Sequence, residues 1–70
     1  MTSTQADLLI AEARRAAAEI GLYGWRPDGF AVQRLRLSTT HAPAYRILAR
    51  AWRRAGFKAA AVRKLAGRAP

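Results

Sequence analysis

The sequence has no cysteine, so no disulfide can hold it together, and its single histidine and four acidic residues are not clustered as metal ligands would be. No structural metal or cofactor is therefore expected to compensate for a small core. No apolar run approaches the roughly 20 residues that a membrane span requires. Asp7 and Glu12 stand where a signal peptide would be uncharged. These absences predict a mature, soluble, intracellular chain, cytoplasmic in location. With one His, four acids and no Cys, a nucleophile-and-base set is also missing, and the chain is not expected to be an enzyme. His41 reads as an exposed loop residue beside a helix start.

A further absence is regional. Asp7, Glu12, Glu19 and Asp28 are the only acids, whereas ten of the thirteen basic residues, from Arg34 to Arg68, follow Asp28 with no acid among them. Self-repulsion in such a region opposes folding unless an anion relieves it, which favours a polyanionic partner.

What is present amounts to one small domain spanning residues 1–70, with residues 1–3 and 67–70 expected to be flexible ends. A chain of this length buries only about 60% of the surface its unfolded form exposes. A partner or a second copy would complete its core, which leaves room for a homo-oligomer.

The pattern "TQAD" from Thr4 matches a helix-capping signature, and Leu9, Ala13, Ala16 and Ile20 recur at helical spacing, with Ala6, Ile10 and Ala17 widening the stripe. A helix over 5–20 is predicted, stopped by Gly21. Arg15 lies between Glu12 and Glu19 at spacings of three and four, so its outer face is self-neutralised.

The stretch "LYGWRPDGFAVQRLRLS" carries a turn signal at Pro27, Asp28 and Gly29, and predicts a β-hairpin joining strands 22–25 and 30–37. A short helix beginning after Asp28 is the alternative. The loop "STTHAP" offers Thr39 or Thr40 as the cap of a helix over 42–55, with Pro43 in its first turn. In that helix Tyr45, Leu48, Trp52 and Ala55 share one face, Ala51 beside them. Arg46, Arg50, Arg53 and Arg54 fall within about 100° of one another on the opposite face. Gly56 ends it. In the tail, Phe57, Ala61 and Leu65 share a face with Val62 nearby, which favours a short helix ending at Gly67 over a third strand. The expected fold class is α+β: an N-terminal helix, a β-hairpin, an amphipathic basic helix and a short C-terminal helix.

The candidate binding residues are Arg34 and Arg36 on the second strand, Arg46, Arg50, Arg53 and Arg54 on the basic helix, and Lys58, Arg63 and Lys64 in the tail. Guanidinium groups offer planar forks to phosphate, and spacings of three and four present them in a row. Ser38, Thr39 and Thr40 read as capping residues, with a phosphate at the helix start as the functional alternative. Tyr23, Trp25 and Phe30 read as closing the core rather than stacking on bases, with Arg26 a flanking candidate.

Ala51, Ala55, Phe57, Val62 and Leu65 occupy apolar spacings around Gly56 that resemble a helix-turn-helix, a resemblance covering about twenty residues. It implies that Lys58, Arg63 and Lys64 lie on or near a recognition helix. The chain departs from the motif at Trp52, where a small residue is usual, and has no Asn, Gln, Ser or Thr after residue 56 to read bases.

The functional expectation is a small nucleic-acid-binding protein that contacts phosphates through its arginine-rich helix. The alternative is an accessory or inhibitory module that docks this helix on an acidic protein surface. A third reading lays the Trp52-containing helix on an anionic membrane surface.

Overall fold

The computed structural model describes residues 3–66, and its four elements are all helices: α1 (Ser3–Tyr23), α2 (Gly29–Leu35), α3 (Ala42–Arg54) and α4 (Ala59–Ala66). Among the described residues there is no strand, so the α+β expectation and its hairpin are wrong. The ends at 1–2 and 67–70, including the expected stop at Gly67, lie outside the described residues. Ser3, assigned above to a flexible end, is already helical.

α1 forms where its apolar spacing placed it but runs longer at both ends. Ala13, Ala16 and Ile20 are buried and Leu9 packs against them. Thr4 lies inside the helix instead of capping it. Gly21 does not stop it, although glycine in a helix costs about 1 kcal/mol relative to alanine. Ile20 beside it is fully buried, and the exit is made three residues later. There Gly24 takes φ +68 and its N–H bonds the Ile20 carbonyl at 2.9 Å. A left-handed residue at a helix end is the ordinary role of glycine.

α2 replaces the hairpin because the same turn residues also make a helix cap. Asp28 is extended, and its carboxylate accepts from the Ala31 N–H at 2.9 Å, which satisfies one orphan donor of the first turn. Ala31 and Leu35, four apart, are buried together. Arg36 ends the helix at φ 55, and Leu37 N–H closes back on the Val32 carbonyl at 2.9 Å. This is a Schellman turn with arginine in the left-handed position that glycine usually fills. For an L-residue that conformation costs roughly 1–2 kcal/mol. Arg36→Gly is therefore expected to stabilise the fold by about 1 kcal/mol, read as a raised denaturation midpoint. An unchanged or lower midpoint would mean the Arg36 side chain contributes contacts that offset its strain.

α3 packs along α1 and buries Ala44, Leu48 and Trp52. Its N-cap is His41, not Thr39 or Thr40, and no side chain caps it. Ser38 Oγ instead accepts from the His41 N–H at 3.2 Å. His41 is half-buried, not the exposed loop residue expected, and its Nε2 is buried without a partner. Tyr45 is half-buried and donates its hydroxyl to the Val62 carbonyl at 2.7 Å, which ties α3 to α4. Ala55, expected on the apolar face, is exposed.

Trp52 is the centre of the core. It is 0% exposed, and its Nε1 donates to the Trp25 carbonyl at 2.8 Å, joining α3 to the α1–α2 connection. Deep burial removes it as a membrane anchor. Among the described residues no helix is long and apolar enough to cross a membrane. α4 closes the bundle with Val62 and Leu65 after a turn in which Gly56 takes φ +99.

Candidate nucleic-acid interface

α3 shows why its arginines face outward. Its buried Ala44, Leu48 and Trp52 rise in one i, i+4 row, so Arg46, Arg50, Arg53 and Arg54 are left on the far side, all exposed. The four are not equivalent. Arg53 Nη1 donates to the Phe57 carbonyl at 3.4 Å and so serves the turn toward α4. Arg50 and Arg54 border a groove of about 650 Å³ between α3 and α1, whose other walls are Ile47, Ala51, Ala55, Ala17, Ala18, Gly21 and Arg14. Arg46 is exposed and does not line that groove.

Arg14 is the residue that sequence reasoning missed, because the near-neutral first helix looked structural. The signal was present: at three and four residues on either side Arg14 has Ile10, Ala11, Ala17 and Ala18, with no acid in reach. Arg15, by contrast, pairs with Glu19 at 2.6 Å, the only ion pair among the described residues. The groove is thus lined by three arginines from two helices and by no acid. Its floor of alanine and glycine lets an extended anionic chain approach the backbone closely.

The remaining predicted residues do not join this groove. Arg34 sits in the last turn of α2, and Arg63 and Lys64 in the last turn of α4. There a cation complements the partial negative charge of the helix end, which accounts for them without any ligand. Arg14 and Arg50 have no such explanation, since neither lies in a last turn, whereas Arg54, in the last turn of α3, shares it and is set apart only by its place on the groove. Arg34 and Arg36 would have shared one face of a strand. In the helix they part, and Arg36 borders a separate cavity of about 580 Å³ with Ser38, Thr39, Thr40 and Leu65. Lys58 precedes α4 and lends its carbonyl to the N–H groups of Ala61 and Val62.

α3, the connection 55–58 and α4 reproduce the helix, turn and helix order of the resemblance, with Gly56 at the left-handed turn position. Trp52, at its small-residue position, is fully buried. Among the described residues no group of His, Cys, Asp or Glu could hold a metal ion. Compared with known protein families, curated proteins and solved structures, the chain matches none.

Proposed function

We propose that this chain binds nucleic acid by gripping the phosphate backbone between Arg14 of α1 and Arg50 and Arg54 of α3. The observation that carries the reading is that three arginines from two helices, and no carboxylate, line one groove. Like charges held together there oppose folding, and a bound polyanion relieves them. The small floor suits a backbone that must lie close, and planar guanidinium forks suit phosphate oxygens. Arg46, Lys58, Arg63 and Lys64 add long-range attraction from the surrounding surface without a built contact.

The test is electrophoretic mobility of mixed-sequence duplex and single-stranded probes at two salt concentrations. Binding should weaken steeply as salt rises, because phosphate contacts release counterions. Binding that ignores salt, or none at low ionic strength, would sink the proposal. Recovery of one discrete acidic protein after nuclease treatment would replace it with docking on a protein surface.

A further inference from the structure

We infer that the pocket bounded by Tyr23, Trp25 and Phe30 stacks an unpaired nucleobase, so that the preferred ligand is a single strand. The inference rests on the nucleic-acid reading above and names the form of nucleic acid.

The expectation that these aromatics close the core holds only for Trp25, which is half-buried and packs against it. Tyr23 is 70% exposed and Phe30 66%, with Leu22 beside them at 75%. A chain with a core of ten residues, four of them alanine, has every reason to bury large aromatics, yet leaves two outside. Clustered exposed apolar groups of this kind mark interaction sites. Tyr23, Gly24, Trp25, Arg26, Asp28 and Phe30 line a cavity of about 290 Å³, and the Trp25 and Phe30 rings lie 6.0 Å apart between centroids at 36°. Trp25 Nε1 is buried without an acceptor, so the fold supplies no polar reason for that ring's placement.

The rings stand on a fixed base. Gly24 breaks α1 between Tyr23 and Trp25, the Trp25 carbonyl is held by the buried Trp52 indole, and the Asp28 N–H bonds the Arg26 carbonyl at 2.9 Å around Pro27. The occupant follows from charge. Arg26 is exposed on the rim, and the chain carries a net charge of +9, so the ligand should bring an anion together with a flat face. A single strand supplies both, since aromatic platforms beside cations stack bases of any sequence. Asp28, the one acid present, is committed to the start of α2 through the Ala31 N–H, where the helix dipole offsets its charge. A duplex keeps its base faces inside the stack and cannot use the pocket.

The test compares oligothymidylate with a duplex of equal length at one salt concentration, using the full chain and its Tyr23→Ala and Phe30→Ala variants. Both side chains are exposed, so the variants should fold, which helix content by circular dichroism checks. Trp52 is fully buried, so any quenching of tryptophan emission reports Trp25. The single strand should quench that emission, and each variant should lose roughly 5- to 150-fold in single-strand affinity, the range for one stacked base, with duplex affinity unchanged. Equal losses for both probes, or no loss, would overturn stacking while leaving phosphate binding intact. Failure of the unmodified chain to bind either probe would overturn both readings. A concentration-dependent dimer that Tyr23→Ala dissolves would assign the pocket to a second copy and overturn stacking.

Discussion

Trp52→Ala is expected to remove much of the stability of the fold at 25 °C and to lower its thermal midpoint steeply. Replacing a buried tryptophan by alanine costs about 3–5 kcal/mol, from lost transfer free energy and the cavity left behind. A domain of this length has only about 4–10 kcal/mol of total stability, at roughly 0.05–0.15 kcal/mol per residue. Trp52 is the largest fully buried side chain, and four of the other nine core residues, Ala13, Ala16, Ala31 and Ala44, are alanines with nothing to extend into a cavity. The substitution also strips the Trp25 carbonyl of its donor and so loosens the α1–α2 connection. Trp52→Phe keeps most of the volume but not the N–H, and should cost about 1–3 kcal/mol, chiefly the unmet carbonyl. Far-UV circular dichroism through a thermal scan reads both. A cooperative transition for Trp52→Ala near that of the unmodified chain would mean that the core does not centre on this residue.

The second large effect is expected from neutralising the groove. A chain with Arg14, Arg50 and Arg54 all changed to alanine should lose nucleic-acid affinity by about 10²–10³-fold near 0.1 M salt, since each phosphate contact in a duplex contributes about 0.9 to the salt slope. The same variant should be no less stable when free, because relief of the repulsion among three like charges offsets the helix-end contribution of Arg54 and no ion pair is broken. This pairing separates function from structure. A residue kept for packing would lower stability when removed, whereas these should lower only binding. Loss of stability together with affinity would assign the three arginines to the fold.

Two of the four helices, α1 and α3, were legible because a period near 3.6 repeated over enough turns to exclude a strand, while α4 was favoured over a strand by its helix-forming residues. The row Ala13, Ala16, Ile20 and the row Ala44, Leu48, Trp52 are of this kind. α2 was not, for two physical reasons. Its buried pair, Ala31 and Leu35, is four residues apart, a spacing that puts side chains on one face of a helix and of a strand alike. Its start, Pro27-Asp28-Gly29, is chemistry that a β-turn and a helix N-terminus share. Its end was hidden as well, since the left-handed stop falls on Arg36 and not on a glycine. Gly21 misled in the opposite direction, a glycine that the helix runs through.

The arginine face of α3 was readable from spacing alone. Its division was not, because the groove exists only where α1 lies beside α3, and Arg14 enters it from 36 residues away from Arg50. The aromatics around the turn were assigned to the core on the ground that a small domain has little else to bury. Alanines let α1 and α3 approach closely, Trp52 fills the space, and Tyr23 and Phe30 are left at the surface.

The most direct test of the groove is the salt dependence of binding to one duplex, measured for three proteins: the unmodified chain, the variant lacking Arg14, Arg50 and Arg54, and a variant with Arg34, Arg63 and Lys64 changed to alanine. The two variants lose the same charge from different places, the second set wholly from helix ends where the dipole already explains it, the first including one such residue, Arg54. The groove variant should flatten the plot of log affinity against log salt by about 2.7, three contacts at about 0.9 each, and the helix-end variant by less than one contact's worth. Equal flattening by both would contradict a built site and leave net charge alone as the cause of binding.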